Sequence, residues 1–527
     1  MNKQSFLKGA VILVAASLIT RVLGFVYKIF LSRLIGAEGI GLFYTVFPIL
    51  MFVLTVTTAG LPTAVAKLVA EALVEEDVRR VKRIVRVSMG TVLGLSVLCT
   101  AAMLALAPWL TTHVLTDPRA YWTLIAMAPI ISIIAVSSIL RGYFQGMQNM
   151  APGAVASIVE QTVRIGTVLA FATYLLPYGL EYASAGAMIG MVLGELAGLL
   201  YMVYKYYTRF RINHLVASTP KKELTSGQLF SQVLEIAVPV TMSRIVGSIT
   251  YALEPILVTR CLVSLGLTAG MATTLYGQYQ GMAIALLILP TVFTYALSTT
   301  LVPSVSEAVA AKEHLLVQRR LYQAFRLTAL IGFPTSAILT LYATELSSAV
   351  FGDPAVGPIL AIMAPAGFLI YLQAPLTGIL QGINRAGEAM RNSIIGSVLK
   401  LGVIWYLVPN PHFGIDGVAW AVVVTAAVTT GMHFLSVTRH LGFYVNLIET
   451  MKILIGTALL STFLVEFRNL SPGTSDVWLV TLGTLFGLLI YFLFLNYFRV
   501  LTLHTISRIP RVGKPLAGLL RVVPFLR

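Results

Sequence analysis

Arg21 and Arg244 each stand inside a long apolar run, where a charged side chain is most costly. At bilayer mid-depth such a charge costs about 2.5–3.5 kcal/mol on insertion scales, so it must face protein or water. The two share a context: Thr20-Arg21-Val22-Leu23-Gly24 returns as Ser243-Arg244-Ile245-Val246-Gly247. Lys28 follows Arg21 by seven residues, two helical turns along the same face. Converging on one aqueous cavity, these three cations would hold an anion, and a guanidinium fork matches the oxygens of a phosphate. The alternative is that the arginines only tie carbonyls or a carboxylate inside a bundle, and that Lys28 snorkels to the interface.

Other charges are weaker candidates. Glu254 precedes Pro255, where a local break would expose carbonyls; it would balance the cavity arginines or bind a coupling cation. Glu160 and Arg164, spaced i,i+4, neutralise each other along one helix. Lys400 is the repeat counterpart of Arg164, but Gly396 replaces the carboxylate. It is a second candidate for charge balance or coupling, with snorkelling or another pairing as the alternative. Arg141 and Lys67, near the ends of their runs, read as anchors, and Glu195 and Glu307 have no partner that spacing reveals.

The elements that position these residues are transmembrane helices. Hydrophobic residues make up 57% of the chain and charged ones 11%, about half the charged share of soluble domains. Spans are expected at 8–33, 40–70, 86–111, 121–146, 153–176, 184–205, 230–262, 271–308, 325–350, 358–382, 393–408, 414–437, 448–466 and 477–498. No small-residue cleavage site follows the first run, so it reads as a permanent span. Met127-Ala128-Pro129, Gln145-Gly146 and Asp117-Pro118 return as Met363-Ala364-Pro365, Gln381-Gly382 and Asp353-Pro354, all 236 positions later. The expected fold is therefore an all-α polytopic membrane protein of about 14 transmembrane helices. It comprises two pseudo-symmetric six-helix lobes, 1–206 and 229–440, a cytoplasmic linker at 207–228, two extra helices within 441–500, and a basic tail at 501–527. The tail either lies on the inner leaflet or is a frayed, proline-interrupted end. Pro62 in span two matches Pro303 in span eight; both are hinge candidates, against static curvature. Cys99 and Cys261, in apolar runs, read as buried thiols.

Basic residues set the orientation. On the side of both termini lie 26 of the 37 Lys and Arg, and on the other only Arg33, Arg119, Arg260 and Arg468. The positive-inside rule puts both termini in the cytoplasm. A net charge of +16 is mostly this bias, helped by attraction to anionic membrane lipids, and needs no nucleic-acid partner. The seven histidines are scattered without zinc-ligand spacing, and no Walker loop or nucleophile elbow is present, so an enzyme is not expected. No cofactor is implied; transport would run on a coupling ion, the membrane potential or the substrate's own gradient.

Ser17-Leu18-Ile19-Thr20-Arg21-Val22-Leu23-Gly24-Phe25 resembles the first helix of the lipid II flippases of the multidrug/oligosaccharidyl-lipid/polysaccharide exporter superfamily. Tyr276-Gly277 through Gly281-Met282-Ala283, Leu301-Val302-Pro303-Ser304-Val305-Ser306-Glu307-Ala308 and Leu140-Arg141-Gly142-Tyr143-Phe144-Gln145-Gly146 are similar to the stage V sporulation protein B branch of that family. The resemblance covers essentially the whole chain. It implies a flippase for an undecaprenyl-pyrophosphate-linked sugar, lipid II chemistry, serving peptidoglycan or spore-cortex synthesis in the bacterial cytoplasmic membrane, alongside cell-wall synthesis proteins as candidate partners. It also implies that Arg21 meets pyrophosphate and that the last two spans help form a groove for the lipid tail. The family's second span-one arginine falls at Tyr27 and its neighbouring aspartate at Lys28, and the span-two arginine is missing; Lys28 and Arg244 are the candidates to substitute. A multidrug cation antiporter of the same superfamily, or a non-transporting scaffold for wall synthesis, are the rival readings. The first would present carboxylates and aromatics to its substrate, and the second would need no symmetric mid-membrane charges.

Overall fold

The structure, a computed structural model, describes residues 6–58, 60–212, 225–442, 446–471 and 473–501. Most of the predicted linker and nearly all of the basic tail lie outside the described residues. Among those described, every regular element is helical. The chain forms two compact units, Met1–Met282 with Ile404–Ile415, and Ala283–Val403 with Asp416–Arg527.

The first unit contains α1 (Phe6–Thr58), α2 (Leu61–Val74), α3 (Val78–Trp109), α4 (Ala120–Met127), α5 (Ile130–Gly146), α6 (Ala151–Leu175), α7 (Leu180–Ile212), α8 (Ser226–Ser264) and α9 (Ala269–Tyr276). The second contains α10 (Ile284–Ile288), α11 (Thr291–Ala310), α12 (His314–Leu341), α13 (Ala343–Phe351), α14 (Val356–Met363), α15 (Gly367–Gly382), most of α16 (Ala386–Leu407), α17 (Asp416–Leu441), α18 (Leu447–Leu470) and α19 (Asp476–Tyr497). Among the described residues, each of the fourteen expected intervals lies mostly on helix. Eleven stretches among the described residues are long and apolar enough to cross a membrane, or twelve if the bent pair Ala269–Ile288 and Thr291–Ala310 is one span.

One of the eleven, Ala15–Val74, has the length of two spans. At 1.5 Å per residue, its 60 residues would extend about 90 Å against a hydrocarbon core of about 30 Å. The division falls at Gly36, whose φ of 66° and ψ of −177° interrupt the helix in a region that a Cβ makes strained. Pro62 stands in the first turn of α2, where its missing N–H costs nothing. Pro303 lies inside the continuous α11. The 56° bend in span eight sits instead at Leu289-Pro290.

Apolar burial alone holds helices together poorly in lipid, because acyl chains are as apolar as leucine; close approach at small residues does more. In the first unit a Cβ built on Gly41 would lie 2.0 Å from the Thr273 carbonyl oxygen, and one on Gly277 would lie 2.0 Å from that of Ala37. Backbone thus meets backbone where α1 crosses α9 and the π-helical turn Gly277–Ala283. Gly277→Val is expected to destabilise the full chain by about 1–3 kcal/mol, read as a lowered thermal midpoint in detergent; an unchanged midpoint would show that the helices can part there at no cost.

In the second unit, α18 and α19 pack on α12 and α13 through a cluster that includes Tyr342, Leu460, Leu464 and Tyr491. Buried tyrosine hydroxyls need acceptors, and these find helix carbonyls: Tyr342 Oη donates to Leu464 O at 3.1 Å and Tyr491 Oη to Leu330 O at 3.0 Å. The two extra helices are therefore fixed parts of that unit. The Asp-Pro repeat folds the same way in each unit, Asp117 Oδ1 accepting from Arg119 N and Asp353 Oδ1 from Ala355 N, both at 3.0 Å. Cys99 and Cys261 are free thiols, the first half-buried and the second buried.

Candidate functional site

Four of the residues singled out from sequence lie in the first unit, on two helices that pack together: Arg21 and Lys28 on α1, Arg244 and Glu254 on α8. Arg21 and Arg244 are both exposed, on stretches that are otherwise apolar. Lys28 is half-buried, and its ammonium stands 5.0 Å from the centre of the Tyr44 ring, a cation–π contact within α1 across the Gly36 break. Tyr27, at the position of the family's second arginine, is buried.

Glu254 is 5% exposed and accepts a hydrogen bond from Tyr279 Oη at 2.8 Å. Tyr279 belongs to the π-helical turn, an irregularity that often marks functional positions. Its ring stands 6.0 Å from that of Tyr276, whose hydroxyl is buried without a hydrogen-bond partner. The carboxylate therefore sits among phenols, in a setting unlike that of the exposed arginines. Lys400, half-buried on α16, lies in the second unit, as does Pro303; Pro62 is in the first.

The Glu160–Arg164 pair forms as the spacing implies, at 2.6 Å, but it belongs to a larger network. Arg164 also meets Glu195 of α7 at 2.5 Å, and Glu160 meets Arg141 of α5 at 3.1 Å. Two carboxylates and two guanidiniums from three helices thus cancel inside the unit. Gly194 lets α7 approach, since a Cβ there would lie 2.7 Å from that of Arg164. The nearest sequence signal is the run Gly190, Gly194, Gly198 beside Glu195, one small residue per turn on a single face of α7.

A second polar cluster ties the segment between α3 and α4 to α1, α8 and α9. Asp117, 2% exposed, accepts from Arg119 Nε and Nη2 at 3.1 and 2.8 Å and from Thr273 Oγ1 at 3.1 Å, and Arg119 reaches Glu38 at 2.6 Å. The carboxylates beside Arg119, Asp117 first, hold its guanidinium pKa above the ordinary value. Thr116 and Thr259 hydroxyls meet at 2.7 Å, and Arg260 donates to the His113 carbonyl. Sequence marked Asp117 only as a repeat signpost.

Taken together, the fold and site are those of a polytopic transporter with cations set into one helical unit. Residues 6–309 match the family model for polysaccharide biosynthesis proteins and residues 255–406 that for MatE. The chain belongs to the polysaccharide biosynthesis protein family, within the multidrug/oligosaccharidyl-lipid/polysaccharide exporter superfamily; it is a multi-pass membrane protein and not an enzyme. It is 38% identical over 520 residues to stage V sporulation protein B of Bacillus subtilis, covering 98% of this chain and 99% of that one. With the lipid II flippase MurJ of the same organism it shares 24% identity over 85% of each chain. Among solved structures, an inward closed lipid II flippase MurJ matches with a TM-score of 0.71 at 15% identity, covering 93% of this chain and 98% of that one. An inward-facing multidrug resistance transporter of the MATE family matches with a TM-score of 0.64 at 15% identity, over 82% and 98%.

Proposed function

We propose that this protein is a flippase that carries an undecaprenyl-pyrophosphate-linked sugar, with lipid II as the favoured substrate, across the bacterial cytoplasmic membrane by alternating access. The observation that carries this reading is the pair of exposed arginines, Arg21 and Arg244, in matching sequence contexts on the packed helices α1 and α8. A pyrophosphate crossing hydrocarbon needs countercharge and donors, and guanidinium supplies both. The prenyl tail can stay in lipid while the headgroup passes. Similarity to stage V sporulation protein B over 98% of the chain, and to a lipid II flippase over 85% of it, supports the substrate class and a role in peptidoglycan or spore-cortex synthesis.

With both termini in the cytoplasm, as the basic-residue bias supports, an inside-negative potential favours export of a negatively charged headgroup. Each charge moved gains about 2.3 kcal/mol per 100 mV. Glu254 in its tyrosine surroundings is our candidate for charge balance or cation coupling, with Lys400 as a second. The test is complementation of cells depleted of their lipid II flippases, with cortex formation scored in spores. Restored growth with externally accessible lipid II supports the reading; failure to complement either defect at normal membrane abundance overturns it. A multidrug antiporter would instead raise cationic-drug resistance, and a scaffold would complement without moving lipid II.

A further inference from the structure

A cavity of about 230 Å³ opens in the first unit where the early part of α1, the end of α5 and the start of α6 meet. Its polar lining is Ser17, Thr20, Arg141, Gln145, Asn149 and Ser157, and among the described residues no carboxylate lines it. Drug-sized ligands fill roughly 300–1,000 Å³, so this space suits one group of a larger molecule. Arg141 supplies its charge. One edge of the guanidinium is fixed, with Nη1 donating to Ser157 Oγ at 2.9 Å and Nη2 to Glu160 Oε2 at 3.1 Å. Of its five N–H donors, the other three make no hydrogen bond to the described residues, and the side chain is 36% exposed.

Glu160 also meets Arg164, which in turn meets Glu195, so the four charges balance as a set and Arg141 meets the cavity through its outer donors. The network therefore orients Arg141 rigidly and leaves its outer edge available for an acceptor. At the wall formed by α6, the helix begins without a side-chain cap, and a Cβ built on Gly153 in its first turn would meet nothing within 4 Å. The partial positive charge of that helix end adds to the arginine's.

We propose that this cavity is a subsite for a phosphate oxyanion of the transported headgroup, clasped by the outer edge of Arg141 and by the amide of Gln145. It rests on the flippase reading above and adds a second anion site to it. Thr20 of the cavity wall immediately precedes Arg21, so the subsite adjoins the arginine to which that reading gives the pyrophosphate.

The test measures binding of undecaprenyl pyrophosphate and of inorganic pyrophosphate to the full chain in phosphatidylcholine nanodiscs. Two variants probe the cavity differently: Arg141→Gln removes the fork, and Gly153→Leu fills the space while leaving the ionic network intact. Both are expected to weaken binding of each probe by about tenfold, the loss of one or two charge-assisted hydrogen bonds, with Gly153→Leu keeping the wild-type thermal midpoint. Unchanged affinity in Gly153→Leu overturns the proposal, whatever Arg141→Gln does to folding. Displacement of undecaprenyl pyrophosphate by an equal amount of phosphatidylglycerol also overturns it, since the cavity would then serve bulk lipid. If the wild type binds undecaprenyl pyrophosphate and loses it in Arg21→Ala but in neither cavity variant, the subsite falls and the flippase reading stands. If it binds only inorganic pyrophosphate, and both cavity variants lose that, the anion site stands and the lipid-linked substrate falls.

Discussion

Arg21→Ala is expected to abolish flipping, or to cut it at least a hundredfold per folded protein, while leaving membrane insertion intact. The magnitude follows from the loss of a charge-assisted fork to a doubly charged group in a low-dielectric passage, about 3 kcal/mol or more. Folding should survive because the side chain is exposed on an otherwise regular stretch of α1. Arg21→Lys should recover only part of the rate, since it restores charge but not the bidentate geometry. Arg244→Ala should behave like Arg21→Ala, on the strength of the repeated context and the packing of α8 on α1. The measurement is lipid II exposed at the outer face per unit of folded protein. A near-normal rate in Arg21→Ala at normal abundance would mean that this arginine does not handle the headgroup, and the proposed mechanism would lose its main support.

The apolar runs were legible because a bilayer demands about twenty apolar residues per span, and helices lie at the expected intervals, although α16 is not among the stretches that pass as membrane-crossing. The 236-residue repeat was legible for a similar local reason: Asp-Pro makes the same turn wherever it occurs, at Asp117 and at Asp353 alike. Local spacing also gave the Glu160–Arg164 contact, since residues four apart share a helix face. What spacing could not give is any contact set by helix packing. Glu195 lies 31 residues from Arg164, Arg141 lies 19 from Glu160, and Thr273 lies 156 from Asp117. Each pairing depends on how deeply two helices interpenetrate, which Gly194 and Gly277 permit without announcing a partner. Proline, too, was an incomplete guide. It breaks a helix only where the lost hydrogen bond is not absorbed by gentle curvature, so Pro290 marks the bend of span eight while Pro303 rides inside α11.

Arg164→Ala is expected to act on stability more than on substrate handling, with a loss of about 3–5 kcal/mol, the usual cost of removing one partner from a buried ion pair. Glu160, Arg164 and Glu195 side chains are only 14%, 15% and 11% exposed, so solvent does little to screen the carboxylates left behind. Glu160 would keep Arg141, whereas Glu195 would lose its ion-pair partner. The double variant Arg164→Leu with Glu195→Leu should therefore recover much of the lost stability, because it removes both the stranded charge and its desolvation cost. Thermal midpoint and detergent-resistant folded fraction read the effect, and flipping per folded molecule separates it from function. If Arg164→Ala folds like the wild type but transports nothing, the network is part of the substrate path and not the brace that holds α6 to α7. If the double variant is no better than the single one, the four charges are stabilised as a unit, and Arg141, whose fork lines the cavity, depends on all of them for its orientation.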